Sequence, residues 1–257
     1  MNNDAHRLSP DLSPALSPTA RTTVRRGRAR ARLDRQDLVD VLASARVCHL
    51  GVVVDGAVRV LPTAFGVDFE GPDDGGSLYL HGSVAARSLV VAPEAEICVT
   101  VTVLDGLVLA RSAFHHSMNY RSAVVLGRPR LVVDEGERSR ALDAIVDQVI
   151  EGRSAHLRAH TKKELAATVV LALPLYEASV KSRSGDPVDD PSDIEAGEVW
   201  AGVVPMWQQA GAATPAADLE AETTVPEHVL AAIEKQEPSM SGVTVGDLVD
   251  SRRSVGS

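Results

Sequence analysis

The sequence predicts a mainly β fold, an antiparallel barrel with a few flanking helices. Three observations predict it. Short apolar runs rich in Val, Leu and Ile recur along the chain, Asp-Gly turn signals separate them, and few helical stretches intervene. Strands joined by hairpins rather than by helical crossovers pair antiparallel, and closing such a sheet hides its edges.

Asp34 is placed to cap a helix over 34–45, in which Leu38, Val41, Leu42 and Ala45 share one face. A strand follows over 47–54. Asp55-Gly56 signals a hairpin, and 57–67 is the returning strand. Residues 72–76 form a turn and 77–81 a third strand, after which Ser83 can cap a short helix over 84–91. A second hairpin is expected about Asp105-Gly106, with arms over 95–104 and 107–113. Strand 121–133 is interrupted by Gly127-Arg128-Pro129, which signals a bulge or an edge position. An amphipathic helix spans 134–150, with Leu142, Ile145, Val146 and Val149 on its apolar side. Thr161 and Glu164 match a capping box, and 167–180 is the last long strand.

Residues 1–20, with repeated Ser-Pro steps, read as a disordered tail. Residues 21–207 read as one folded domain. Residues 208–257 read as a linker rich in Ala, Thr and Pro followed by a partly helical tail, with a short helix over 226–235.

A chain of 257 residues, 44% hydrophobic, can build one sizeable core. Its formal net charge of −9 argues against nucleic acid or an anionic membrane as the main partner. An aromatic content of 3% argues against a stacking platform for single strands. The basic block from Arg25 to Arg32 is then a solvated arm, or an arm packed beside a bound phosphate, rather than a nucleic-acid contact. Cys48 and Cys98 sit in apolar runs and read as buried, reduced thiols. The first residues lack the apolar core of a signal peptide, and no apolar run spans a bilayer, so a soluble cytoplasmic protein is expected.

Three blocks could carry chemistry. In the first, a strand ends at His81-Gly82, Ser83 opens a helix, and Arg87-Ser88 follow. Glycine lets a ligand approach the backbone, helix N–H groups favour an anion, and a guanidinium forks onto phosphate. An ordinary capped helix with a surface arginine is the alternative. The second block runs from Ser112 to Gly127. His115 and His116 are adjacent on the chain and point apart on a strand, so no metal site is expected there. Tyr120, Arg121 and Ser122 read as a phosphate, flavin or dimer contact. In the third block, Pro62 removes a ladder donor and so belongs at an edge or bulge. That leaves backbone groups near Thr63 and Ala64 open to a ligand.

Taken in order, these blocks resemble the FMN-binding split-barrel proteins, the pyridoxamine 5'-phosphate oxidase-like family, and within it the flavin-nucleotide-binding branch that contains nitroimidazole-resistance proteins. The resemblance covers roughly 23–207. It rests on Leu33-Asp34-Arg35, Val47-Cys48-His49-Leu50-Gly51, Leu61-Pro62, Leu80-His81-Gly82-Ser83, Tyr120-Arg121-Ser122, Leu126-Gly127-Arg128-Pro129 and Trp200-Ala201-Gly202-Val203-Val204-Pro205. It implies an antiparallel six-stranded split β-barrel that binds FMN. Pro62, Thr63 and Ala64 would line the isoalloxazine, His81, Gly82 and Ser83 the ribityl chain and phosphate, and Arg87 and Ser88 the phosphate. Tyr120, Arg121 and Ser122 would reach the cofactor, across a homodimer interface if two barrels enclose two FMN molecules. The implied activity is an FMN-dependent oxidoreductase acting on a small organic substrate, with His81 the nearest candidate for a proton donor. A non-catalytic flavin carrier or redox sensor, and a deazaflavin- or haem-binding barrel, are the alternatives. True pyridoxamine phosphate oxidases carry an arginine before Leu-x-Pro at their C-terminus, whereas this sequence ends Arg252-Arg253-Ser254-Val255-Gly256-Ser257, so pyridoxamine phosphate itself is not the expected substrate.

Overall fold

The computed structural model describes residues 15, 16, 19–220 and 222–234. Two compact units are present, Met1–Met206 and Trp207–Ser257. The first holds two antiparallel sheets. One is built from β1 (Ala31–Arg32), β2 (Cys48–Val54), β3 (Ala57–Thr63), β6 (Ile97–Leu109), β7 (Ser117–Gly127), β10 (Ala178–Arg183) and β11 (Gly202–Pro205). The other is built from β4 (Phe65–Asp68), β5 (Ser77–Ser83), β8 (Arg130–Leu131) and β9 (Thr168–Pro174). The seven-stranded sheet runs β1-β10-β7-β6-β2-β3, with β11 added to β6, and the four-stranded sheet runs β4-β5-β9-β8. The helices are α1 (Arg35–Ala43), α2 (Arg87–Val91), α3 (Glu135–Val149), α4 (Lys162–Ala167) and α5 (Pro191–Ala196). In the second unit, α6 (Glu227–Glu234) begins just after Pro226, where a missing backbone N–H costs nothing.

Helix starts follow local chemistry. The Asp34 carboxylate accepts the Gln36 N–H at 2.9 Å, and Asp134 accepts the Glu137 N–H at 2.7 Å. Thr161 and Glu164 complete the expected capping box. Asp55 and Gly56 both adopt positive φ, 52° and 75°, as the tight turn between β2 and β3 requires.

Three expected strands prove to be pairs that change sheets. The run 57–67 divides at Ala64 into β3 and β4, the run 121–133 divides at Arg128-Pro129 into β7 and β8, and the run 167–180 divides at 175–177 into β9 and β10. Pro62 lies on β3, the edge of its sheet, where a missing donor leaves no partner unsatisfied. The second hairpin is absent: β6 is one strand with a bulge between Leu104 and Gly106, because residues on both sides of Asp105 pair with the same neighbour, β7. The Ser83 cap is also absent. Ser83 still pairs with Thr168 of β9, so the helix begins only at Arg87, after Ala86.

Both sheets face one core. Cys48, Leu50, Val52, Val99, Val101, Val125 and Val180 meet Phe65, Leu78, Leu80, Leu171 and Leu173 there, and Leu38, Val41 and Leu42 of α1 cap one end. Burial pushes the Cys48 thiol up to about 12, which fits an unreactive thiol; Cys98 is only partly buried. Leu16, inside the expected tail, is 4% exposed and belongs to this core. On the other side of the four-stranded sheet, Tyr79, Val170 and Ala172 pack under Ala141 and Ile145 of α3. Arg130 ties this layer together, reaching Asp73 at 2.7 Å and Glu137 at 3.0 Å, while the Tyr79 hydroxyl donates to Glu137 at 3.3 Å. Among the described residues, no helix is long and apolar enough to cross a membrane.

Gly66 of β4 is where α3 rests on the sheet. A Cβ there would stand 2.5 Å from the Ile145 nitrogen and 2.7 Å from the Ala144 carbonyl carbon, both backbone atoms. Gly66→Ala is therefore expected to lower stability by about 2–3 kcal/mol, the upper range for overpacking. The midpoint of urea unfolding checks this; an unchanged midpoint would mean that α3 does not bear on β4.

Candidate cofactor site

The end of β3 and the end of β5 bring two of the three blocks together. Phe65 pairs with Leu80, so Ala64 and His81 lie one step beyond that pair, where β3 has left its sheet for β4. Pro62 and Thr63 precede this crossing, opposite His49 and Cys48 of β2. His81, Gly82 and Ser83 lie opposite Val170, Val169 and Thr168 of β9. The passage between sheets thus brings Ala64 to His81; Pro62 and Thr63 lead into this point along one sheet, and Gly82 and Ser83 lead away from it along the other.

Side-chain polarity is concentrated on His81. Its ring is half-buried, and Nδ1 is buried without a hydrogen-bond partner among the described residues. Burial holds the imidazole below its ordinary 6.5, so the ring is neutral at pH 7. An unpartnered buried ring nitrogen costs free energy unless something else pairs with it. A polar group of a bound cofactor would meet that need, so the residues present fit such a ligand. Gly82 has a different explanation from the expected one: a Cβ there would lie 2.5 Å from Leu89 Cδ1 of α2, so its missing side chain makes room for Leu89. The Ser83 hydroxyl accepts the Ala85 N–H at 3.2 Å.

Arg87 lies elsewhere. It forks onto Asp55 at the β2–β3 turn, with Nε donating to Oδ2 at 2.9 Å and Nη2 to Oδ1. Pro62 sits at the other end of that hairpin, beside His49. Both partners of the Arg87–Asp55 pair are largely exposed, and such a pair exchanges for another anion at small cost. Ser88 is half-buried on α2.

The third block is not joined to the first two within one chain. Tyr120, Arg121 and Ser122 lie on β7, opposite Leu104, Val103 and Thr102 of β6. Arg121 is committed to Asp105, with Nη2 at 2.9 Å and Nε at 3.1 Å, and its Nη1 donates to the Ser44 hydroxyl at 3.0 Å. Sequence reasoning missed Asp105 as this partner, because Asp105-Gly106 carries the same signal as a turn. His115 and His116 are drawn to separate neighbours: His115 Nε2 lies 3.3 Å from Asp190, and His116 Nδ1 lies 2.9 Å from the Ser112 carbonyl.

Comparison with known proteins agrees with this architecture. A family model described as pyridoxamine 5'-phosphate oxidase matches residues 34–182. Among solved structures, the flavocytochrome Anf3 from Azotobacter vinelandii is similar at 36% identity and a TM-score of 0.76, over 84% of this chain and 98% of that one. The FAD and heme binding protein from Mycobacterium smegmatis is similar at 39% identity and a TM-score of 0.72, over 79% of this chain and 97% of that one. No curated protein sequence matches.

The buried His81 ring has a pH consequence. Its folded-state affinity for protons is depressed, so on acidification the unfolded chain takes up a proton that the folded chain refuses. Stability from this group is complete above about 6.5 and is lost as pH falls from there toward the folded value. Imidazole NMR of ligand-free protein is expected to show a His81 midpoint below 6.5. A midpoint at or above that value would show that the ring is solvated or already paired with an anion.

Proposed function

The chain belongs to the pyridoxamine 5'-phosphate oxidase family, and on that premise we propose that it binds a flavin nucleotide and acts as an oxidoreductase on a small organic substrate. The observation that carries this reading is the meeting of Ala64 and His81 where the chain crosses between sheets, with the His81 nitrogen lacking a partner among the described residues. The backbone around Pro62 would line the ring, His81 would hydrogen-bond the ligand, and Ser83 would hold the ribityl chain. These groups meet the FMN part of a flavin. Arg87, if released from Asp55, would hold the phosphate together with Ser88. Relatives described as a flavocytochrome and as an FAD and heme binding protein support a flavin.

A bound flavin supplies hydride and electron transfer, and the protein supplies orientation, water exclusion and charge. The neutral His81 imidazole can donate or accept a proton at Nδ1 as the ring's charge changes. The two relatives' names also favour a second reading, in which the chain holds haem as well. His49, exposed on the outer face of β2, is a ligand type that haem iron takes.

We further propose a homodimer. Cys48, Leu50, Val52 and Val54 face the core, so the alternate residues of β2 face outward. Val53 stands opposite Val58, Gly51 opposite Val60, and His49 opposite Pro62. Val58 and Val60 are 78% and 63% exposed, and Val47, Val53 and Leu104 are exposed too. An apolar face this broad favours burial against another protein surface. A second copy would also bring its own Tyr120, Arg121 and Ser122 toward a site that lacks them within one chain.

Four measurements test these readings. Ligand released from purified protein should have a flavin mass, and the protein should absorb as a flavin; a colourless protein that ignores added FMN and FAD overturns the reading. A Soret band decides the haem question. Arg87→Ala should weaken FMN by about tenfold or more while leaving riboflavin nearly unchanged, the scale of a lost charge-assisted phosphate contact. Equal losses for both would remove Arg87 from the phosphate. Val58→Glu with Val60→Glu should convert dimer to monomer in sedimentation; a wild-type monomer would dispose of the dimer.

A further inference from the structure

The N-terminal arm forms one wall of a cavity of about 460 Å³ against β10, within the size range of small-molecule sites. Leu16, Val24, Leu33 and Val180 give it apolar walls, and Arg28 and Arg32 give it charge. These walls are part of the fold. Leu16 and Val180 belong to the core, and the Leu16 N–H donates to the Leu33 carbonyl at 2.7 Å. Arg21 pins the arm to Glu96 at 2.8 Å and to Glu177.

Of the residues that line this cavity, Arg28 and Arg32 carry charge, and neither makes an ion pair among the described residues. Two guanidinium groups beside an apolar cavity suit a ligand with more than one negative charge and an apolar body. A single carboxylate would engage one fork and leave the other unused. No aromatic side chain lines the cavity, so a flat base would pack on aliphatic walls.

We propose that this cavity binds the diphosphate-bearing nucleoside part of a nucleotide, with Arg28 and Arg32 on the diphosphate and the base between Leu16, Val24 and Leu33. Two sources share this chemistry: a free nucleoside diphosphate, and the ADP half of FAD. The second source rests on the flavin reading above; the first does not.

Calorimetric titration of the full-length, ligand-free protein with ADP, FMN and FAD tests it, in wild type and in Arg28→Gln/Arg32→Gln. Arg28→Gln alone, at an exposed position, guards against a folding defect. For a free nucleotide, ADP binds the wild type and loses about tenfold or more in the double variant. For the dinucleotide, FAD binds at least about tenfold more tightly than FMN, and the double variant erases that excess without weakening FMN. ADP binding without any flavin binding upholds the cavity and removes the flavin reading. The proposal is overturned if ADP does not bind and FAD is no tighter than FMN, or if whatever binds is indifferent to both arginines.

Discussion

The two sheets are bound to a single core because the chain passes between them four times, by short links from β3 to β4, from β7 to β8 and from β9 to β10, and through α2 from β5 to β6. The core residues of the two sheets meet chiefly one another, with α1 closing one end. Phe65, Leu80 and Leu171 on one sheet need Leu50, Val99 and Val125 on the other. The short links at the passages also fix where the sheets separate. Each passage ends a ladder and leaves backbone groups that a neighbouring strand would otherwise use. The first passage, at Ala64, is therefore a structural joint, and beside it lies the unpartnered Nδ1 of His81.

Charge is organised on the same plan. Arg130 holds Asp73, at the turn before β5, to Glu137 of α3, and so joins the four-stranded sheet to its covering helix. Arg111 holds Asp189, whose side chain is almost wholly buried, with Nη1 at 2.7 Å and the Arg111 N–H at 2.9 Å. These bonds keep the Asp189 carboxyl below its ordinary range despite the opposing effect of burial, and the same contacts fasten the segment after β10 to the end of β6. Such pairs hold loops in place, and truncating one partner leaves the other charge without compensation. Arg28 and Arg32 of the arm have no such pair among the described residues, whereas Arg21 beside them does.

Local signals in the sequence were legible wherever the deciding interaction is local. Asp34, Asp134 and the Thr161–Glu164 box cap helices through bonds two or three residues away, and Asp55-Gly56 turns because Val54 pairs directly with Ala57. Asp105-Gly106 has the same two residues and a different fate. The strand β7 pairs with residues on both sides of it, and the Asp105 carboxylate is taken by Arg121, 16 positions away. The passages at Ala64 and 175–177 were illegible for a related reason: both sheets turn apolar residues toward one core, so the hydrophobic run continues through the crossing. Long-range pairing decides both cases, and no local window contains it.

The same distinction bears on the candidate site. Pro62 was legible as an edge residue because its missing donor constrains it wherever it lies. The nearness of His81 to Ala64 was not, since it follows from the register of β4 on β5. Reading strand, glycine, hydroxyl and arginine as one phosphate cradle assumed that the helix begins at Ser83. In fact β9 holds Ser83 in the sheet, Leu89 occupies the space over Gly82, and Arg87 meets Asp55, 32 residues earlier. What survives without that assumption is a neutral, half-buried imidazole with an unpaired nitrogen at the joint between two sheets. A structural histidine at this depth would be expected to spend that nitrogen on a neighbouring carbonyl or hydroxyl. Its lack of any such partner among the described residues is the physical reason to place a ligand's polar edge there, independently of where the arginine ends.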